Sequence, residues 1–244
     1  MIYTMDTRIR FHEVGPDKKL SLTGLIDLLQ DCGNFHGEDT GATLDYQYKV
    51  GQTWAITSWN LIIDEWPELG DRVITSTWSY KARHFLAYRN FTVKSPDGKC
   101  YVKADSQWIM LNTNDFTPAK IRQDIMDMYT VEPDAKLPDR FPGRVIRMAE
   151  NGEYLPEITV SEYMLDANHH INNGQFVKLA AAYVPADLKF NRFNAEYVAQ
   201  GHQGDNMTPY RVKTENGWQA ALLKEDGKPY FKAEWEFMND DQTR

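Results

Sequence analysis

The sequence predicts an α+β fold in which a curled antiparallel sheet wraps a helix, with that unit built twice in tandem. Three observations predict it: an apolar helical stripe near the N-terminus, alternating strands after it, and a second helix-then-strands series later in the 244-residue chain. Leu22, Leu25, Ile26, Leu29 and Cys32 recur at helical spacing behind a capping Ser21 or Thr23, and the stretch closes in loop-like residues 37–41. Residues 54–63, 72–80, 85–94 and 100–111 alternate as strands do, and so do 210–214, 218–224 and 229–238. Asp97-Gly98-Lys99 and Asp226-Gly227-Lys228 read as hairpin turns before the last strand of each copy, 129 residues apart (97 to 226). Lys103-Ala104-Asp105 and Lys232-Ala233-Glu234 share that offset, and Gly204-Asp205 follows Gly70-Asp71 by 134 residues (70 to 204). Three prolines among charged residues over 133–142 mark a linker, which puts the halves at 1–134 and 135–244.

Composition excludes several classes. A formal net charge of −8 argues against a general nucleic-acid binder, because phosphate neutralisation needs a basic surplus. No apolar run approaches the roughly 18 residues that cross a bilayer, and the opening residues lack a leader pattern, so the expectation is a cytoplasmic protein without a membrane segment. Cys32 and Cys100 have no C-x-x-C spacing and read as reduced packing residues. His169-His170 lacks an i, i+4 partner, and His12, His36, His84 and His202 are scattered, so no metal site is expected.

The most chemically informative stretch is Asp166-Ala-Asn168-His-His170-Ile-Asn172-Asn173. Downstream, Phe176, Leu179, Ala180 and Tyr183 define a helix over 174–184, and either asparagine can cap it. Asp166, Asn168 and His170 occupy alternate positions, with His169 pointing elsewhere. They lie beside the positive end of the helix, where unpaired amides would stabilise charge developing on a substrate oxygen. That chemistry suits acyl transfer or hydrolysis. An imidazole is suited to moving a proton near neutral pH; whether it or Asp166 takes the proton is open at this point. Setting Asp17 opposite Asp166 puts Lys19 opposite Asn168 and Ser21 opposite His170, so only the second half carries the polar set.

Four segments taken in order, Trp54-Ala-Ile-Thr57, Ser106-Gln-Trp-Ile-Met-Leu-Asn112, Asp166 to Asn173, and Ala195-Glu-Tyr-Val-Ala-Gln200, resemble the acyl-[acyl-carrier-protein] thioesterases, which are double hot-dog enzymes. The resemblance implies a tandem hot-dog, each half a long helix wrapped by a curled sheet, with an acyl-binding N-terminal half and a catalytic C-terminal half. It implies hydrolysis of fatty acyl-carrier thioesters to free fatty acid and carrier protein, ending fatty-acid synthesis without a cofactor. The partner would be acyl carrier protein bearing a pantetheine-linked chain.

Carried over by residue, the resemblance makes Asp166, Asn168, His170 and Gln200 catalytic. Gln200 stands where the family usually has glutamate; an amide can position water but cannot be a base. Glu196 or Asp205 would supply a carboxylate under a different strand register. Residue 201 is glycine, so covalent thiol catalysis is not expected. Lys81, Arg83, Lys120, Arg122, Arg140, Arg144 and Arg147 are candidates for carrier docking. The competing readings are an acyl-CoA thioesterase of the same fold and a non-hydrolytic acyl-binding or regulatory module. The duplicated chain supplies both halves of a hot-dog pair, so a monomeric pseudo-dimer and a homodimer both fit.

Overall fold

A computed structural model describes residues 2–141 and 143–237. The elements run β1 (Tyr3–Arg8), α1 (Leu22–Thr40), α2 (Leu44–Lys49), β2 (Gln52–Ile63), β3 (Arg72–Arg83), β4 (Leu86–Lys94), β5 (Cys100–Asn112) and α3 (Gln123–Met128). They continue with β6 (Glu153–Tyr154), β7 (Ile158–Thr159), α4 (Asn173–Ala181), β8 (Arg192–Tyr197), β9 (Asn206–Lys213), β10 (Gly217–Leu223) and β11 (Pro229–Glu236). Met238, the expected end of the last strand, lies outside the described residues, as does Pro142 of the expected linker. The chain divides into two compact units, Met1–Thr57 with Ile63–Asp139, and Ser58–Ile62 with Arg140–Arg244.

In the first unit β1, β3, β4 and β5 pair antiparallel in that order. Ser21 caps α1 by accepting the Gly24 amide at 3.1 Å, and Gly41 ends it at a φ of 89°, a conformation that costs a residue with a Cβ but not glycine. Leu25, Ile26, Leu29 and Cys32, the predicted stripe, are buried together with His36. The helix packs against β1 and β3. His36 stacks on Tyr3 and receives a 2.6 Å hydrogen bond at Nδ1 from the buried Arg89; burial first, and then the Arg89 charge, hold its pKa down at about 4.

The second unit pairs Ser58–Ile62 with β8, then β11, β10 and β9 in order, with β6 and β7 both on β9. Its helix is shorter than expected. From Ala182 onward the amides of Tyr183 and Val184 bond three residues back, at 3.2 and 3.4 Å, and Pro185 then removes the next donor. What remains of α4 buries Gly174, Phe176, Val177 and Ala180 against β10 and β11. Phe176 stacks on Phe231 with centroids 5.4 Å apart, and Tyr197 closes on Phe231 at 4.9 Å.

The proline-rich connection is tied down rather than loose. Trp78 Nε1 donates to Ala135 O at 2.9 Å, Leu137 N to Asn90 Oδ1 at 2.9 Å, and Lys103 Nζ to Asp139 Oδ1 at 2.9 Å. Beyond it, Ile146 N donates to Glu196 Oε2 at 2.7 Å and Ala149 N to Gln219 Oε1 at 2.8 Å. A strap with little regular structure must satisfy its backbone somewhere, and side chains on the strands of its own unit provide partners.

Because α4 is only nine residues long, its docking rests on few contacts. Replacing the fully buried Phe231 by alanine is expected to cost about 3–5 kcal/mol, read as a lower midpoint in urea denaturation.

Candidate active site

Two backbone loops meet at the start of α4. In the first, Asp166 N–H donates to His170 C=O at 2.8 Å and His169 N–H to Asp166 C=O at 3.0 Å, closing a tight turn with His169 at a φ of 60°. The second is the stretch after β8, where Ile171 N–H donates to Gly201 C=O at 2.9 Å. The turn makes Asp166, Asn168 and His170 half-buried and leaves Ala167 and His169 exposed, so the three predicted side chains share the inward side. Their common origin is a single alternating segment pinned at both ends.

The Asp166 carboxylate helps to build this turn. Its Oδ1 accepts the Asn168 amide at 2.8 Å and the His170 amide at 3.3 Å. Burial holds the His170 imidazole below the ordinary histidine range, His202 acts in the same direction, and Asp166 opposes them. Its neutral form, the one able to accept a proton, therefore persists into more acidic solution.

The helix start differs from expectation in one respect. Asn172 caps α4 with its Oδ1 on Gly174 N at 2.7 Å, while its carbonyl accepts Gln175 N at 2.9 Å and Phe176 N at 3.2 Å. These three amides are occupied within the first turn rather than unpaired. The helix dipole still points at the site, since it arises from the aligned peptides of the whole helix.

Gln200 lies directly before Gly201, so its backbone borders the Asp166–Ile171 turn. Glu196 is not a substitute for it. Val198 N and Ala199 N both donate to Tyr230 O, a bulge that breaks the alternation between 196 and 200, and Glu196 is held by Lys232 Nζ at 2.6 Å and Ile146 N at 2.7 Å. Gly201 has no room for a larger residue without displacement: a Cβ there would lie 2.6 Å from Ile171 Cδ1 and 2.8 Å from Met207 Cε.

His202, which the sequence reading left among scattered histidines, stands against the site. Its ring meets that of His170 edge to face, with centroids 4.9 Å apart and planes at 82°. Asp205 accepts the His202 amide at 2.9 Å and lies 3.8 Å from His202 Nδ1. Tyr230 hydrogen-bonds Asp205, and burial together with that carboxylate pushes its pKa up to about 12. No periodicity or motif connects positions 170 and 202. Among the described residues no three His, Cys, Asp or Glu side chains converge as a metal-holding group.

The first unit contains the same two loops without the polar set. Gly15 N donates to Lys19 O and Lys18 N to Gly15 O, both at 2.9 Å, Lys18 has a φ of 65°, and Leu20 N donates to Pro67 O at 2.8 Å. The equivalences are therefore Gly15 with Asp166, Asp17 with Asn168, Lys19 with His170 and Ser21 with Asn172, at an offset of 151 (21 to 172). This corrects the alignment of Asp17 with Asp166 by two residues; matching the two aspartates by type ignored the caps, which fix the register. Of the basic docking candidates, Lys81 and Arg83 line an open cavity of about 260 Å³ with His84, Phe85, Leu86 and Tyr88, whereas Arg122 is paired with Asp124 at 2.7 Å.

Comparison with known proteins follows the same line. The chain is 25% identical over 195 residues to oleoyl-acyl carrier protein thioesterase 1 of Arabidopsis thaliana, covering 74% of this chain and 54% of that protein. It is 23% identical over 189 residues to the palmitoyl-acyl carrier protein thioesterase of the same plant, covering 72% and 46%. The chain thus spans about half the length of these curated relatives. In fold it is similar to an acyl-ACP thioesterase from Bacteroides thetaiotaomicron, with a TM-score of 0.85 at 24% identity over 97% of this chain and 98% of that one. It is likewise similar to the 12:0-ACP thioesterase from Umbellularia californica, with a TM-score of 0.81 at 19% identity over 96% of each. The tandem hot-dog expected from sequence is the fold these likenesses share. Residues 1–129, more than half of the chain, match the acyl-ACP thioesterase N-terminal domain, and the chain belongs to the acyl-ACP thioesterase family.

Proposed function

We propose that the protein hydrolyses fatty acyl thioesters of acyl carrier protein, with His170 as general base. The observation that carries this reading is the turn that sets Asp166, Asn168 and His170 on one half-buried side at the start of α4, in a chain of this family. Neutral His170 removes a proton from a water whose oxygen attacks the thioester carbonyl. The tetrahedral oxyanion forms facing the helix dipole and the Asn168 amide. Collapse breaks the carbon–sulfur bond, and the proton held by His170 passes to the departing thiolate, giving free acid and carrier thiol. Asp166 keeps the turn in shape and supplies negative charge beside the imidazolium. Gln200 orients water through its amide. The first unit would receive the acyl chain.

Docking of an acidic carrier on a chain of net charge −8 needs a local basic face. We assign this role to Lys81 and Arg83 at the β3–β4 turn, which open onto a cavity.

His170→Ala is expected to lower kcat/KM on acyl-carrier substrates by about 10²–10⁴-fold with an unchanged far-UV spectrum. Free-thiol release measured on matched carrier and CoA thioesters separates the carrier reading from a CoA thioesterase, and tight binding without turnover would favour an acyl-binding module. Because burial disfavours the imidazolium, the acid limb of kcat/KM is expected below the ordinary histidine range near 6.5. Asp166→Ala removes the acceptor of two turn amides and is expected to cost about 1–2 kcal/mol by chemical denaturation; Asp166→Asn keeps an acceptor and stays close to the parent in stability while losing activity. Reversing Lys81 and Arg83 to glutamate is expected to raise KM for the carrier substrate by about tenfold and to leave acyl-pantetheine turnover unchanged.

A further inference from the structure

The proposed chemistry leaves one question of proton control. A histidine base works only while neutral, and the carboxylates nearest to hand are committed: Asp166 Oδ1 to the turn amides, Glu196 to Lys232 and Ile146. Gln200 carries no charge. The acid that reaches His170 through another side chain is Asp205, by way of His202.

The arrangement is built by the fold rather than by chance contact. In the first unit Lys19 and Glu68 form a backbone bridge, and Asp71 accepts the Glu68 amide at 2.8 Å. In the second unit His170 and His202 occupy those two places, and Asp205 accepts the His202 amide at 2.9 Å. The duplicated backbone therefore presents the two positions to each other in both halves. Only in the second half are both imidazoles, with their rings in edge-to-face contact. Asp205 in turn is held by the buried Tyr230 hydroxyl. Two imidazoles at this separation resist holding two protons at once.

We propose that His202 is a positioning residue for the reaction: braced by Asp205, it packs its ring edge to face against His170 and holds that imidazole in the proton-accepting form. The groups facing His170 are Asp166, His169 and His202, and those facing His202 are His170 and Asp205. Asp166 favours a proton on His170, so without His202 the balance shifts toward the inactive imidazolium. The inference rests on the thioesterase reading for its catalytic meaning, but the coupling between the two rings can be measured without turnover.

The experiment is an imidazole NMR titration of His170 in the full chain, alongside the pH profile of thioester hydrolysis, for the parent, His202→Phe and Asp205→Asn. Phenylalanine keeps an aromatic ring in contact and removes the charge; asparagine keeps an acceptor for the His202 amide. The His170 titration is expected to move to higher pH in both variants, more in His202→Phe. Activity at about pH 5.5 relative to about pH 8 is expected to fall about three- to tenfold further than in the parent. A merely structural His202 would lower activity evenly across pH and leave the titration in place, and an unmoved His170 midpoint in a folded His202→Phe overturns the proposal. Should His202→Phe not fold, an unmoved midpoint in Asp205→Asn does the same. Absence of hydrolysis by the parent on every thioester would instead overturn the thioesterase reading while the titration still tests the coupling.

Discussion

The site depends on one constraint, the hydrogen bond from Ile171 N–H to Gly201 C=O. It fastens the Asp166–His170 turn to the stretch after β8, and the Asn172 cap immediately beyond it fixes where α4 begins. With both ends of a five-residue turn held, Asp166, Asn168 and His170 are half-buried while Ala167 and His169 between them are exposed. A Cβ at Gly201 would meet the side-chain ends of Ile171 and Met207, which would have to shift to admit it. Loose versions of the same residues would have to be ordered by substrate at the cost of binding energy; here the backbone has already ordered them.

The duplication explains why so much of the fold was legible and why one detail was misread. Helix α1 announces itself through Leu22 to Cys32 and a serine cap, and the Asp-Gly hairpins mark the paired strands, since these signals are local. The helix of the second copy was overextended because its apolar spacing continues to Tyr183, whereas the backbone begins to unwind three residues before Pro185. Matching Asp17 to Asp166 compared side chains that do different jobs. The caps Ser21 and Asn172 do the same job, and they give the true register.

The contact of His170 with His202 was illegible for another reason. It joins residues 32 positions apart (170 to 202) on two loops fastened by the Ile171–Gly201 hydrogen bond, and neither loop has a period that a sequence can display. The hydrogen bonding of the strap after α3 was illegible for the same reason. Prolines and charges over 133–142 read as a linker, and nothing in them shows that Trp78 and Asn90 bond its backbone, or that Glu196 and Gln219 bond the backbone just beyond it. Partners donated by distant strands leave no mark on the segment that receives them.

Gln200 and Gly201 together narrow the chemistry available at the end of β8. A covalent route needs a nucleophilic side chain beside the base, and the glycine at position 201 offers none. A carboxylate base on this strand is equally absent, since Gln200 is neutral and Glu196 is held by Lys232 on the strand behind the bulge. What remains at positions 200 and 201 is a strand end without an ionisable side chain, which under the proposed reading favours direct attack by water over attack by the protein. Under the proposed reading the proton is carried by His170, so the burial and the neighbouring His202 that hold its pKa down matter as much as its position.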